Sequence, residues 1–77
     1  MKKIGITQKV IIDHNSKEIR DTLDHSWYDF ARSINSILFP IPNNLKNLKP
    51  YLETLNLDGI IFSGGNNIGS KNKIIFK

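Results

Sequence analysis

Leu57-Asp58-Gly59-Ile60-Ile61-Phe62-Ser63-Gly64-Gly65-Asn66-Asn67 is the stretch whose reading decides the fold. Gly59 to Phe62 is a short apolar run, too short for a helix and rich in β-branched residues, so it reads as a buried strand. Ser63-Gly64-Gly65 then ends it abruptly. Consecutive glycines turn the backbone sharply and leave N–H groups free to face a ligand. At the carboxyl end of a parallel strand, that is where open α/β sheets keep their sites. An ordinary strand-to-loop turn uses the same residues, and Gly-Gly after a strand does not by itself separate the two.

Upstream, Lys3-Ile4-Gly5-Ile6-Thr7-Gln8 reads as a first strand, with Ile4 and Ile6 on one face and Gly5 allowing close backbone approach between them. Lys9 to Ile12 can prolong it, and Asp13-His14-Asn15-Ser16 is a polar loop. Leu23, Trp27, Phe30, Ala31 and Ile34 recur at i, i+4, i+7, i+8 and i+11, one apolar stripe suited to docking on a sheet. With Asp21 and Asp24 at its amino end and Arg32 towards the other, the pattern predicts a helix over residues 21–34. Ser36 to Phe39 makes a second strand, stopped by Pro40-Ile41-Pro42.

Asn43 to Lys49 bridges to a second helix with Pro50 in its first turn and a stripe of Leu48, Leu52 and Leu55, extended upstream by Leu45 in a helical turn. Asn56 ends that helix in the left-handed conformation, and Leu57 leads into the deciding strand. Asn66 to Asn72 is polar and turn-like. Lys73-Ile74-Ile75-Phe76-Lys77 is a short apolar burst that either adds an edge strand or hangs free. The order strand, helix, strand, helix, strand predicts a parallel sheet with right-handed crossovers.

Seventy-seven residues suffice for one small domain with a thin core. Complete doubly wound sheets usually take roughly 100 to 200 residues, so the length points to part of something larger. A net charge of +4 raises nucleic acid as a partner. The lysines are scattered, however, and no aromatics interleave with them on one surface, so none is expected. The absence of cysteine excludes disulfides, thiolate metal sites and a Cys nucleophile within these residues. No apolar run approaches the roughly 20 residues needed to cross a bilayer, and Thr7, Gln8 and Lys9 interrupt any signal-peptide core. A cytoplasmic location is expected, with no membrane partner, metal or cofactor.

Four segments in order carry a family likeness: Ile4-Gly5-Ile6-Thr7-Gln8; Glu18-Ile19-Arg20-Asp21-Thr22-Leu23-Asp24 with Trp27; Pro40-Ile41-Pro42-Asn43; and Asp58 to Asn67. Together they resemble the class I glutamine amidotransferase-like superfamily, and within it the γ-glutamyl hydrolase or γ-glutamyl-γ-aminobutyrate hydrolase (peptidase C26-type) branch. The likeness runs from about Lys3 to Asn67. It implies a flavodoxin-like α/β domain that hydrolyses γ-glutamyl amide bonds, with a Cys nucleophile and His and Glu partners. It also implies that backbone N–H groups of the glycine turn hold the oxyanion, a role that maps onto Gly65 with Gly64 beside it. Such preorganised donors are worth about 3 kcal/mol of transition-state stabilisation.

The departures are equally specific. The family's nucleophile, His and Glu all lie downstream of the glycine turn, whereas this chain has no Cys, and His14 and His25 precede the turn. The expectation is therefore the amino-terminal portion of such an enzyme, residues 1–77 being one part of a single domain. As it stands this portion is catalytically incomplete, and it takes a small γ-glutamyl substrate only when the missing half is supplied. A non-catalytic α/β binding module and a degenerate gene product are the alternatives. Uncovered apolar surface is expected to make the isolated chain marginally stable or prone to associate.

The Glu18–Asp24 block with Trp27 is similar to a sub-branch that includes γ-glutamyl-CDP-amidate hydrolases of capsule biosynthesis. Arg20 then has two readings. It meets a substrate carboxylate or phosphate by bidentate hydrogen bonds, or it pairs with Asp24 at the helix start, worth about 0.3–0.5 kcal/mol when exposed. Asn66, beside the glycine turn, is a second candidate for substrate binding.

Overall fold

A computed structural model describes residues 1–64 and, as backbone, Lys73–Phe76. Its centre is strand β1 (Lys2–Thr7), which runs parallel to β4 (Ser36–Ile41) on one side and to β5 (Gly59–Phe62) on the other. Alternation sends Ile4 and Ile6 to one face, and both are completely buried there. They form a core with Ile61 and Trp27, against which Leu23, Phe30 and Leu38 pack. Trp27, Phe30 and Ala31 belong to helix α1 (Ser26–Ser33). Trp27 and Phe30 meet edge to face with ring centres 6.1 Å apart, a favoured aromatic geometry.

Gly5 points to the opposite face. A Cβ there would stand 2.6 Å from Leu57 Cδ1 and 3.0 Å from Ile41 Cδ1, so these two side chains close over the glycine. The close approach expected at Gly5 is thus filled by side chains rather than by a neighbouring backbone.

Helix α2 (Leu48–Leu55) lies between β4 and β5 in the chain. Asn47 caps it by accepting from the Lys49 N–H, Pro50 sits in the first turn, and Asn56 ends it at φ 51°. Leu45 lies outside the helix, in the irregular segment between the turn at Asn43 and Asn44 and the cap Asn47, and so does not extend it. Lys73–Phe76 forms β6, antiparallel to β5, giving the sheet order β4-β1-β5-β6. The terminal apolar burst is therefore an edge strand. Among the described residues the protein is mixed α/β, with a parallel three-strand core and two helices. No described helix is long and apolar enough to cross a membrane.

Three expectations need correction. Lys9–Ile12 does not prolong the first strand; Lys9–Asp13 forms β2, which turns back on β3 (Glu18–Thr22) as a separate antiparallel hairpin. The turn is built locally: Asp13 Oδ1 accepts from the N–H groups of Asn15 and Ser16, at 3.0 and 3.2 Å, and Lys17 takes φ 60°.

The first helix starts at Ser26, not at residue 21, because Asp21 and Thr22 are used in the β3 ladder. Asp24 remains outside it, accepting from the Ser26 N–H at 2.9 Å. The helix stops before the left-handed Asn35, φ 52°. Finally, β4 runs through Pro40 to Ile41. It is the outer strand of the sheet, where a missing N–H is tolerated.

Replacing Gly5 by isoleucine would drive a branched side chain into Leu57 and Ile41. The expected destabilisation is about 1–3 kcal/mol, read as a lower urea midpoint at unchanged slope. A midpoint equal to the parent's would show that the opposite face has spare room.

Candidate functional site

The carboxyl ends of β1, β4 and β5 come together at one rim of the sheet, and polar side chains stitch them to each other. Thr7, the last residue of β1, holds the residue after β5 by three hydrogen bonds. The Ser63 N–H donates to Thr7 Oγ1 (2.8 Å), the Thr7 hydroxyl donates to the Ser63 carbonyl (2.9 Å), and the Ser63 hydroxyl donates to the Thr7 carbonyl (2.8 Å). This clip fixes where β5 ends. Gly64 follows it, exposed.

Next along the rim, the Gln8 side-chain amide donates to the Ile41 carbonyl at 3.0 Å, tying β1 to the end of β4. Asn43, just past the Pro40-Ile41-Pro42 exit, donates from its side-chain amide to the Gln8 carbonyl (3.2 Å) and to Asp21 Oδ1 (2.8 Å). Its backbone N–H donates to Asp21 Oδ2 at 3.0 Å. Asp21 is thereby grasped through both oxygens, and this joins the hairpin to the rim. The backbone N–H and then the side-chain amide of Asn43 hold the Asp21 carboxyl below its ordinary value.

Thr7, Gln8, Asp21, Asn43 and Ser63 each fall in one of the four segments that carry the family likeness, and the fold gathers them at one edge. Of the candidates named from sequence, Gly64 lies on this rim, and Gly65 and Asn66 lie outside the described residues. Arg20 does not join. It follows the opposite face of the hairpin from Asp21 and pairs with Glu18 at 3.1 Å. Its expected pairing with Asp24 is not made, since Asp24 caps Ser26. His14 lies in the hairpin turn and His25 at the start of α1. Among the described residues no group of three or more His, Asp or Glu stands ready for a metal.

Asp21 and Asn43 were not legible as a pair, because an acid before an apolar stripe signals a helix cap equally well. The Thr7–Ser63 clip had only the position of each residue at a strand end to announce it. Chemically, both rim hydroxyls are spent as donors to carbonyls. Neither Thr7 nor Ser63 is thus set up as a nucleophile.

A concavity lies between α2 and β5. Its volume is about 490 Å³, and Leu52, Leu57, Ile60 and Phe62 line it with Glu53 and Asn56 at its polar side. It is an apolar recess, and the ionisable side chain among those residues, Glu53, pairs with Lys49 at 3.9 Å.

The lowered Asp21 value has a defined consequence. A carboxylate depressed in the folded state contributes fully above its unfolded value, 3.8, and that contribution disappears as pH falls through the lower folded value. The Asn43 backbone amide resonance is therefore expected to titrate with a midpoint below 3.8. A midpoint at or above 3.8 would mean that Asn43 does not hold Asp21 in solution.

No protein-family model, curated protein or solved structure matches this chain.

Proposed function

We propose that the chain is the amino-terminal portion of a flavodoxin-like, cytoplasmic γ-glutamyl amide hydrolase of the class I glutamine amidotransferase-like type. In this reading it supplies the oxyanion-binding turn, and a cysteine on a segment beyond these residues supplies the nucleophile. The observation that supports it is the Thr7–Ser63 clip, which holds Ser63, the residue before Gly64-Gly65 in the sequence, at the carboxyl end of a central parallel strand. That is the position from which backbone N–H groups stabilise a developing negative charge. The engaged hydroxyls of Thr7 and Ser63 agree with a presenting role and not an attacking one. A γ-glutamyl-CDP-amidate is the substrate class that the Glu18–Asp24 block favours, with Arg20 and Asn66 as the residues to test for contact with it.

Two experiments bear on this. The purified 77-residue chain is expected to release no glutamate from γ-glutamyl amides above background, because it holds no cysteine. Turnover that survives rigorous removal of host enzymes would sink the assignment of the nucleophile elsewhere. Second, the chain is fused to the downstream portion of an active relative of that superfamily. In the chimera Gly65→Pro, which deletes one N–H donor, is expected to lower kcat by roughly 10² with a smaller change in KM. Circular dichroism checks that the variant folds. A folded variant with unchanged kcat would reduce Gly65 to a structural turn.

A further inference from the structure

The β2–β3 hairpin pairs with itself and packs on no other helix or strand among the described residues. An isolated two-stranded hairpin is marginal in water and is normally completed by another strand or a covering element. Four of its aliphatic side chains are exposed: Val10 to 45%, Ile11 to 42%, Ile12 to 56% and Ile19 to 72%. Alternation places Val10, Ile12 and Ile19 on one face, with Ile12 and Ile19 directly opposite each other, and Lys9, Ile11 and Asp13 on the other. The outer edge of β2 is bordered by no described strand.

The sequence of that edge, Lys9-Val10-Ile11-Ile12-Asp13, has a cation first, a carboxylate last and aliphatics between. The Ser16 and Asn15 amides hold the Asp13 carboxyl below its ordinary value, so it is an anion at neutral pH. Set antiparallel against a second copy about a two-fold axis through Ile11, the strand meets its complement at every position. Lys9 stands opposite Asp13 of the second copy, Val10 opposite Ile12, and Ile11 opposite Ile11. A parallel arrangement would instead set lysine on lysine and aspartate on aspartate. The β3 edge has no such fit: a two-fold through Arg20 opposes the two arginines and puts Ile19 against Asp21. Cross-strand pairs of opposite charge and of β-branched side chains each stabilise a sheet by about 0.2–1 kcal/mol, and like charges oppose it.

We propose that β2 is a self-association edge, through which two copies of the chain join as a four-stranded antiparallel sheet in the order β3-β2-β2-β3. A contact of one strand pair lies below the roughly 1,200 Å² of standard specific interfaces. The dimer is accordingly concentration-dependent, and the two cross-axis Lys9–Asp13 pairs select its direction.

Because the chain has no cysteine, one introduced thiol reports the geometry cleanly. In Ile11→Cys the opposed Cβ atoms stand about 4.5–5.5 Å apart, close enough for a disulfide after small adjustment. Mild oxidation is expected to link Ile11→Cys into dimers about tenfold faster than Ile19→Cys, although Ile19 is the more exposed side chain. Equal or faster linking at Ile19 would overturn the proposal. An independent measurement uses no thiol. In sedimentation, the parent's average mass is expected to rise with concentration towards twice the 8.8 kDa of one chain. Lys9→Asp, which sets like charges across the axis in both pairs and leaves the Asp13 turn intact, should suppress that rise, whereas Lys9→Arg should keep it. A Lys9→Asp chain that associates as strongly as the parent would exclude this edge.

Discussion

The parallel sheet of this structure is registered against β1, which is hemmed in on both edges and both faces. Its edges pair with β4 and β5, Ile4 and Ile6 are sealed beneath α1, and Leu57 and Ile41 close over Gly5. Full burial of an isoleucine side chain stabilises a fold by roughly 1.5–3 kcal/mol, so Ile4 and Ile6 anchor a core that is otherwise thin. A one-residue slip of β1 would turn both isoleucines away from Trp27 and push a glycine into their place, which is why the register is unambiguous.

Two polar clamps lock that register against β5. At the amino end, the Lys3 N–H donates to Asp58 Oδ2 (2.8 Å), the Asp58 N–H donates to the Lys3 carbonyl (2.7 Å), and Lys3 Nζ donates to the Leu55 carbonyl (2.6 Å). At the carboxyl end, Thr7 and Ser63 do the same work. The strand between the clamps is short, so an error at one end would be felt directly at the other. Ser63 is positioned by the same bonds that hold the sheet, so geometry at the rim and stability of the core are not separable properties here.

What the sequence disclosed followed from periodicity and local chemistry. Ile4 and Ile6 alternate, Gly59–Phe62 is a bounded apolar run, and Asn56 is a residue that tolerates the left-handed conformation that it adopts. These features act over a few residues, and all were legible. The hairpin was not. β2 carries three consecutive aliphatics without alternation, and Glu18-Ile19-Arg20-Asp21-Thr22 shows a single apolar residue, so neither strand has a period to detect. Asp21 and Asp24 compounded the error, because short acids serve a turn, a distant clasp or a helix start with equal ease. The clasp that decided the matter joins Asp21 to Asn43 across the chain, and the rim clip joins residues 56 apart in sequence. Pairings at that separation leave no local trace.

The distribution of satisfied and unsatisfied surface then separates what this chain completes from what it leaves open. Along the rim, each of the polar side chains Thr7, Gln8, Asp21 and Asn43 has a hydrogen-bond partner within the chain. The apolar surface is the reverse case. Helix α2 buries none of its residues fully, Phe62 is 47% exposed beside the recess below that helix, and Val10, Ile12 and Ile19 form an open face on the hairpin. Polar groups that already bond each other gain little from a new partner, because any new bond must replace an existing one. Exposed aliphatic surface gains from any cover that excludes water. The forces acting on this chain in solution therefore favour apolar cover on its open faces, while the polar side chains of the rim are already engaged with one another.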